Sequence, residues 1–573
     1  MGICKFVSAL NRLRKSSSES IDNVEKFDDF KLYMHVPRTA EDDLRKILRK
    51  VNGSSKKSLI LLCGSAGDGK SHLLSYLKNA DSEKLLEGYT IFNDATESNS
   101  PSKTAIETLD ELLTSFKDEN LEEPGNNIIL AINLGVLSNF VESQYEESYW
   151  NLKNYVEKNN ILASKVNDTK DDAGGHFYYV SFSDYHMYSL TENGAKAGYI
   201  EKLLDKIFGN SDDNIFLKSY ENNCVSCPLS TRCPVKKNYE FLMAGANRRF
   251  IAQLLIKAII KDKVILTTRE ILNFVYDILV AQSFSFNQNQ SLINDSSYLR
   301  EFMKQVTPSL IFDSCDVTPL MNTIKKYDPL LIRSEQADEK AIAFYVSSHI
   351  SNDICEVIKD TSYNSIFNNP VMLKIINDDK NLRAEFYNFF VRVNQVEKQL
   401  EEDAIYDEYI HNLYWFNAGK VKNLSKLYSM IEVAVNQWCG NDQESNLCLN
   451  SGYNGFSLYE EVNFNPYVEH VPQPEITDEI FRFVPTISVA FMDECNNTIM
   501  LDLDYSLFEL IYKLNFGYIQ TANDRNNHAD FISFVNRMLQ TGSLTKLLSI
   551  VSENGIKSNL SKGTFGYKFK VVK

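Results

Sequence analysis

Apolar runs of strand length alternate with amphipathic stretches of helical length between about residues 30 and 191. The runs predict strands at 58–64, 89–94, 127–133 and 176–182, and the stretches between them predict helices at 70–79, 102–118 and 145–158. Strands that alternate with helices are typical of a parallel sheet, because each parallel connection has to cross the sheet and usually does so as a helix. The pattern therefore predicts an α/β core built on a parallel sheet.

The remainder of the chain changes its pattern twice. Leu, Ile and Phe recur at helical spacing up to about residue 450, and an acidic stretch there is typical of a solvated helix face. Beyond it, Pro, Gly, Asn and aromatic residues become more frequent and short alternating runs return. We expect a polar, loosely ordered N-terminal arm at 1–30, the α/β core at 31–200, a cysteine-containing loop and helical lid at 201–290, a helical domain at 291–450 and a C-terminal α+β domain at 451–573.

The composition is that of a globular protein and excludes several classes. The chain has 573 residues, of which 43% are hydrophobic and 24% are charged, which is enough for several domains. Sixty Lys and Arg against 76 Asp and Glu give a formal net charge of −16, which excludes a nucleic-acid binder whose whole surface is basic. No apolar run reaches the ~18 residues that a membrane-spanning helix needs, and the N-terminus lacks the pattern of a secretory leader. We expect a soluble cytoplasmic protein with no membrane contact.

A glycine-rich loop between the first predicted strand and the first predicted helix is the most informative segment. Its residues match the pattern G-x-x-x-x-G-K-S, and a histidine follows in the helix: Gly64, Ser65, Ala66, Gly67, Asp68, Gly69, Lys70, Ser71 and His72. In such loops backbone N–H groups surround the phosphates, the lysine contacts the β- and γ-phosphates, and the serine hydroxyl binds magnesium. The alternative is a chance glycine turn before a helix. We predict that this segment binds ATP together with Mg²⁺ through Ser71.

ATP hydrolysis needs acidic residues near the loop. The third predicted strand ends in Asn133, which can hydrogen-bond a water molecule but supplies no charge. Asp94 and Glu97 follow the second predicted strand at the edge where such sheets bind ligands, so they are candidates for orienting magnesium-bound water. The alternative is that they only cap the next helix. The candidate catalytic residues are therefore Lys70, Asp94, Glu97 and Asn133.

Two further pairs of residues are candidates for sensing the γ-phosphate. Ser183 and Asp184 follow the fourth predicted strand. Arg248 and Arg249 lie in the helical segment after the core, where ATPases of the AAA+ type often carry an arginine that responds to the nucleotide. Paired arginines on a helix can equally be solvated or salt-bridged, and that alternative stays open.

Three of the ten cysteines are closely spaced. Cys224, Cys227 and Cys233 form the pattern C-x2-C-x5-C in a short loop, a spacing typical of metal ligands in an intracellular protein. Zinc takes four ligands and the loop holds no fourth one, so the candidates are distant: Cys63, Cys315, Cys355, His176 and His186. The triplet also resembles the [4Fe–4S] loops of some DNA glycosylases and nucleases. A structural zinc, an iron–sulfur cluster and three free thiols are the alternatives.

Two segments are basic within this acidic chain. Residues 231–270 hold nine Lys or Arg and three Asp or Glu. Residues 554–573 hold five Lys and no acidic residue, with Tyr567 and Phe569 between them. Either segment could contact a nucleic-acid backbone. A solvated helix face and a solubilising tail are the alternatives.

The motifs together resemble those of the DptF (DndF) family, the ATPase components of DNA phosphorothioation-dependent restriction systems in bacteria. The resemblance covers about residues 30–290 and rests on CGSAGDGKSHL, on NDATES followed by the helix TAIETL, on LAIN-x-G-x-L, on the cysteine loop and on TTREILNF. It implies an AAA+-like P-loop NTPase core in which Gly69, Lys70 and Ser71 bind the nucleotide. It also implies DptG- and DptH-like partners and action on DNA that lacks phosphorothioate marks. Asn133 departs from the acidic residue usual in P-loop enzymes.

Three functions stay open at this point. The chain could be the ATPase of a restriction complex whose DNA-cutting residues belong to a partner, since no PD-(D/E)xK or HKD pattern stands out here. It could be another anti-phage or signalling ATPase that changes partners with its nucleotide state. It could also be a scaffold that holds a nucleotide without hydrolysing it. A homo-oligomer is compatible with each.

Overall fold

The computed structural model describes residues 4–19, 29–64, 68–92, 104–162, 175–285, 295–314, 318–332, 335–347, 350, 352–398, 403–442, 446–450, 455–473, 477–493, 496–540, 548–563 and 566–572. Contacts divide the chain into two compact units. The first comprises Met1–Ser189 and Lys196–Glu401, and the second comprises Leu190–Ala195 and Glu402–Lys573. The finer division into five segments stays a prediction.

The first unit is built on a four-stranded sheet whose strands are all parallel. The strands are β1 (Leu59–Cys63), β2 (Tyr89–Phe92), β3 (Asn127–Ile132) and β4 (Phe177–Ser181), in the order β2–β3–β1–β4. At the end of β1, Cys63 lies opposite Ile132 on one side and Ser181 on the other. The predicted α/β core is therefore confirmed, and each predicted strand is found to within two residues at either end.

Helices cover both faces of this sheet. On one face lie α3 (Thr39–Asn52) and α4 (Lys70–Asn79), and on the other lie α5 (Ala105–Leu112), α6 (Leu134–Val141) and α7 (Trp150–Lys158). Two helices precede them in the chain, α1 (Lys5–Glu19) and α2 (Asp29–Tyr33). Alternate side chains of a strand point to opposite faces, so Ile60 and Leu62 contact α3 and α4, while Leu59 and Leu61 contact the cluster formed by α5, α6 and α7. All four are fully buried, which explains the unbroken apolar run.

The rest of the first unit is helical, as its hydrophobic periodicity predicts, apart from the ends of a hairpin whose residues Leu190–Ala195 belong to the second unit. A hairpin of β5 (Tyr185–Thr191) and β6 (Gly194–Lys196) leads into α8 (Gly198–Phe208), α9 (Ile215–Cys224), α10 (Pro234–Met243), α11 (Gly245–Asp262), α12 (Thr268–Leu279), α13 (Ser296–Lys304), α14 (Thr307–Asp313), α15 (Pro319–Ile324), α16 (Glu335–Val346), α17 (Asn352–Lys359), α18 (Asn364–Phe367), α19 (Pro370–Asp378) and α20 (Lys380–Lys398). Helix α12 begins at a capping box, in which the Thr267 hydroxyl accepts from the Glu270 N–H and the Glu270 carboxylate accepts from the Thr267 N–H.

Residues 5–19 differ from the loosely ordered arm expected of them, because they form α1. Phe6, Leu10 and Leu13 lie at helical spacing and are buried, and the helix packs against α9 and α12. The Arg14 guanidinium lies 2.9 Å from the buried carboxylate of Asp277 on α12. The N-terminal segment is therefore part of the packed first unit.

The second unit mixes helices with antiparallel sheets, as the C-terminal pattern predicts. Its helices are α21 (Ala404–Asn417), α22 (Ser425–Cys439), α23 (Tyr505–Asn515), α24 (Ala522–Asn527) and α25 (Ala529–Gln540). Its strands are β7 (Leu447–Cys448), β8 (Phe456–Glu460), β9 (Asn465–Tyr467), β10 (Glu479–Arg482), β11 (Ile487–Met492), β12 (Thr498–Leu503), β13 (Leu548–Ser552), β14 (Lys557–Gly563) and β15 (Gly566–Val572). Strands β15–β14–β13–β8–β7 form one sheet and β12–β11–β9 another. Within the described parts of both units, no helix has the length and apolar character needed to cross a membrane.

Candidate functional site

The glycine-rich loop follows the central strand of the parallel sheet. Helix α4 continues from this loop on one face of the sheet, whereas α6, which follows the neighbouring strand β3, covers the opposite face. The connections that leave β1 and β3 thus run in opposite directions, and ligands of open α/β sheets bind in the crevice beyond the carboxyl ends of such a strand pair. Both ends of the loop are described, while Ser65, Ala66 and Gly67 lie outside the described residues.

Two positions of the loop require glycine for different reasons. Gly64 has a φ of +156°, and a Cβ there would lie 2.9 Å from the Cβ of Phe182 and 2.7 Å from Oδ2 of Asp68. Gly69 has a φ of +93°, a left-handed conformation that costs L-residues free energy, and it precedes α4 directly. Close packing at the first position and backbone conformation at the second explain the two glycines.

Lys70 is the first residue of α4 and bends back over the loop. Its ammonium donates a hydrogen bond of 2.8 Å to the carbonyl oxygen of Gly64. Burial raises the pKa of the Cys63 thiol at the end of β1 to about 12, Lys70 opposes this rise, and the carboxylate of Asp184 adds to it. The positive charge of Lys70 and the negative charge of Asp184 therefore both act on the carboxyl end of β1. The next residue, Ser71, is half-buried in the first turn of the helix.

Arg38, which belongs to no sequence motif, ties the loop to the end of β4. Its guanidinium donates to the carbonyl oxygens of Asp68 at 2.8 Å and Tyr185 at 3.1 Å. The same group lies over the rings of Phe182 and Tyr199, at 5.6 and 5.2 Å from their centroids. A guanidinium has five N–H donors in a fixed plane, so it can bond two carbonyls and stack on aromatic rings at the same time. Arg38 thus helps to set the position of the loop.

His72 in the first turn of α4 faces another histidine. Its Nε2 lies 3.2 Å from Nδ1 of His35, and Nε2 of His35 lies 3.1 Å from Oε2 of Glu41 on α3. Burial lowers the pKa of His72 to about 4, with further lowering by the charges of His35 and Lys31. Burial alone would raise the pKa of Glu41, but the hydrogen bonds and positive charges of His35 and Arg45 outweigh it and lower that pKa. His72 is therefore neutral at pH 7.

The residues that follow the other strands differ in how they are engaged. The Oδ1 atom of Asn133 caps α6 by accepting from two backbone N–H groups in its first turn, at 2.8 and 3.1 Å. Asp184 is half-buried in the turn after β4, and Ser183 lies in the same turn, although its side chain is not among those described. Asp94 and Glu97 lie outside the described residues. The described carboxylates of this edge are those of Asp184 and of Asp68 in the loop.

The two candidate sensor arginines differ in their contacts. Arg248 donates to the carbonyl oxygens of Leu242 and Met243 at 3.2 and 2.6 Å and pairs with Asp205 at 3.0 Å. It therefore holds the end of α10 against α8, as the salt-bridged alternative expects. Arg249 is exposed on α11. A role for either residue in sensing nucleotide stays a prediction.

The cysteine triplet lies where α9 meets α10. Cys224 is the last residue of α9, Cys233 caps α10, and Cys227 lies in the turn between them, with the first two buried and the third half-buried. The N–H of Cys233 donates to the carbonyl oxygen of Leu229 at 2.8 Å, and the N–H of Ser230 donates to that of Cys227 at 2.9 Å. Across the described ranges, no three or more Cys, His, Asp or Glu side chains are already arranged to hold a metal ion.

The structure also locates the remote candidates for a fourth ligand. Cys63 ends β1, and His176 precedes β4 with its Nδ1 2.9 Å from a backbone carbonyl oxygen. His186 lies in β5. Cys315 lies outside the described residues, and the side chain of Cys355 is not described.

The two basic segments expose different chemistry. In the helical segment, Lys236 and Lys237 pair with the same carboxylate, that of Glu240, at 2.8 and 3.2 Å. In the C-terminal segment, every residue of β15 is exposed, including Tyr567 at 68% and Phe569 at 62%. In the first segment, part of the positive charge is therefore neutralised by ion pairs within the segment. The second segment exposes lysines and aromatic rings to solvent.

The fold and the loop define an α/β protein whose candidate site lies at the carboxyl edge of a parallel sheet. No protein-family model matches the chain, and no curated protein and no solved structure is significantly similar to it. The function therefore has to be argued from the geometry of the site itself.

Proposed function

We propose that this chain binds ATP and Mg²⁺ at the carboxyl edge of β1, hydrolyses the ATP, and acts as the ATPase component of a DptF-like DNA restriction complex. The observation that carries the proposal is the sequence G-x-x-x-x-G-K-S between the central strand and α4, with Lys70 at the first helical position. The chemistry suits phosphate because the helix N-terminus, the backbone N–H groups and the ammonium group are all attractive to an anion.

Four residues in and next to the loop then have distinct tasks. Lys70 exchanges its bond to the Gly64 carbonyl for the β- and γ-phosphates, and the Ser71 hydroxyl is a ligand for Mg²⁺. His72 contributes its backbone N–H, since its ring is engaged by His35. Arg38 holds the carbonyl of Asp68 and so keeps the loop in shape for the phosphates.

Hydrolysis assigns tasks to the neighbouring strand ends. The Oδ1 atom of Asn133 is committed to α6, so its amide N–H group is what this residue offers to the γ-phosphate or to the attacking water. Orientation of magnesium-bound water is assigned to the carboxylates of Asp94 and Glu97, with Asp184 at the end of β4 as a third candidate. This division fits a site in which charge and hydrogen bonding come from different strands.

Equilibrium binding of a fluorescent ATP analogue with Mg²⁺ tests the proposal. Lys70→Ala should weaken binding by about 10–100-fold, because a hydrogen bond to a charged group contributes about 1.5–3 kcal/mol. Lys78→Ala is the matched control, since Lys78 is exposed in the last turn of the same helix. Absence of binding in the wild-type chain, or equal binding by both variants, would overturn the nucleotide site.

Steady-state hydrolysis with and without duplex DNA tests the remainder. We expect turnover that DNA lacking phosphorothioate linkages stimulates more than DNA that carries them, and its loss in Lys70→Ala. Asp94→Asn, Glu97→Gln and Asp184→Asn should each lower kcat if the carboxylate serves the water. Copurification with DptG- and DptH-like proteins tests the complex, and stimulation by such partners without DNA would favour another signalling ATPase.

A non-hydrolysing scaffold is the second candidate, favoured by the capping role of Asn133 at a strand end where P-loop enzymes often carry an acid. Tight ATP binding without turnover, unchanged by DNA and by partners, would select it. Partner binding that survives in Lys70→Ala would support the same conclusion.

A further inference from the structure

A fourth cysteine is brought towards the triplet by the packing of α1, although it is far from the triplet in the sequence. Cys4 directly precedes α1, and α1 packs along α9, whose last residue is Cys224. Two residues further on, the ring of Phe6 lies edge-on to Tyr220 of α9 at 5.9 Å and to Tyr239 of α10 at 5.1 Å. The start of α1 is therefore anchored between the two helices that carry the cysteine loop.

The packing of α1 brings Cys4 towards the cysteine loop. Cys4 lies two residues before Phe6, and Cys224 lies four residues, about one helical turn, after Tyr220, whose ring Phe6 contacts. Cys233 caps α10, the helix whose Tyr239 forms the other contact of Phe6. The start of α1 therefore lies near both ends of the loop.

We propose that Cys4, Cys224, Cys227 and Cys233 are the four thiolate ligands of a single metal centre. Tetrathiolate coordination serves one Zn²⁺ or one [4Fe–4S] cluster, and the same four residues would hold either. Cys4 thus supplies the ligand that the loop lacks. The proposal does not depend on nucleotide binding, because the ligands lie on α1, α9 and α10.

The surroundings of the cluster suit metal-bound thiolates. The Cys233 sulfur lies at the N-terminus of α10, where the backbone N–H groups of Val235 and Lys236 face it. The described side chains are not already arranged around an ion, so the ligands have to turn inward on binding. Cys4 and Cys227 are half-buried, which leaves them room to do so.

Metal binding would join the N-terminal helix to the end of α9. A bond between the start of the chain and the cysteine loop closes a long segment, and closing it restricts the unfolded chain. Removal of the metal should therefore loosen α1 in particular, which is a consequence that three ligands from one loop would not have.

Metal analysis and absorption spectroscopy on the full chain, purified without oxygen, test the proposal. We expect about one centre per chain. Zinc without colour selects the zinc arm, and iron with acid-labile sulfide and a brown chain selects the cluster arm. Where zinc is found, replacement by Co²⁺ should give the absorption of tetrahedral tetrathiolate cobalt. Failure to take up Zn²⁺, Co²⁺ or iron with sulfide would overturn the proposal.

Substitution of the ligands separates Cys4 from other thiols. Cys4→Ser should lower metal affinity at least about tenfold, the loss that outer-sphere changes alone can produce, and should reduce the thiolate-to-cobalt absorption. Cys448→Ser, at a buried cysteine of the second unit, is the matched control and should change neither. Retention of full affinity and of the four-thiolate spectrum in Cys4→Ser would show that Cys4 is not a ligand.

Thiol counting on the unaltered chain guards against a variant that misfolds. A thiol reagent should find four fewer reactive groups in the metal-loaded protein than in the chelated protein. Simultaneous release of four thiols on chelation supports the tetrathiolate site, whereas release of three would remove Cys4 from it.

Discussion

The glycine-rich loop and the cysteine cluster differ in how much of each site comes from one stretch of chain. The loop, residues 64–71, is contiguous and lies directly between a strand and a helix that are its neighbours in sequence, although Arg38 also holds it from outside. The proposed cluster takes three thiols from residues 224–233 and a fourth from Cys4, about 220 residues earlier in the sequence. The first site can be recognised in the sequence because its residues are contiguous. The second cannot, because its fourth residue comes close only when α1 packs.

The largest effect that would sharpen this comparison is expected in α1. Leu10 is fully buried in α1, which packs against α9 and α12, so Leu10→Ala should lower the free energy of unfolding by about 2–5 kcal/mol. Metal affinity should fall with it, because the Cys4 ligand is carried at the start of this helix. Chemical denaturation and metal titration measure the two effects.

Ser8→Ala is the control for this prediction, since Ser8 is exposed on the same helix. A Leu10→Ala chain with unchanged stability would show that α1 is peripheral. It would also remove the structural basis of the remote ligand.

The next effect concerns pH and belongs to the loop. The pKa of His72 is about 4 in the folded chain against 6.5 in an unfolded one, owing to burial and then to His35 and Lys31, with the Glu41 charge opposing them. Unfolded chains therefore take up this proton first as the pH falls. The stabilisation linked to the neutral His72 ring is fully present above pH 6.5. It is lost as the pH falls from 6.5 to 4, by about 3 kcal/mol in all.

Thermal unfolding across this pH range measures that loss. His72→Asn should flatten the pH dependence, whereas His411→Asn in the second unit should keep it. Equal pH profiles for His72→Asn and the wild type would show that His72 is not the group that titrates.

The same contrast between local and remote information explains which features could be predicted. Four strands and α4 follow from apolar runs and from the glycine loop, since both are local patterns. Helix α1 was missed because a serine-rich run follows its three buried apolar positions. Arg38 carries no motif, because its carbonyl partners lie 30 and 147 residues away and become neighbours only when α3 packs on the sheet.

A smaller effect is expected where packing alone fixes a residue of the loop. Gly64→Ala brings a methyl group to 2.9 Å from the Cβ of Phe182, so the chain should lose about 1–3 kcal/mol of stability and bind nucleotide more weakly. Gly198→Ala is the control, because an added Cβ there meets nothing within 4 Å. Calorimetry and nucleotide titration report both quantities, and an unaffected Gly64→Ala chain would mean that the loop lies further from β4 than the structure has it.

The smallest effect is expected from the same helix cap at two places in the first unit. Thr104 closes a capping box at the start of α5, which packs on the sheet, and Thr267 closes one at the start of α12, against which α1 packs. Each Thr→Ala change should cost about 1 kcal/mol, and Thr→Ser should restore most of it, because the hydroxyl bond to the helix is local. Denaturant unfolding of the four variants measures these costs. A much larger loss for Thr267→Ala than for Thr104→Ala would mean that the start of α12 is coupled to the packing of α1, so that even a local signal acts through remote contacts in that region.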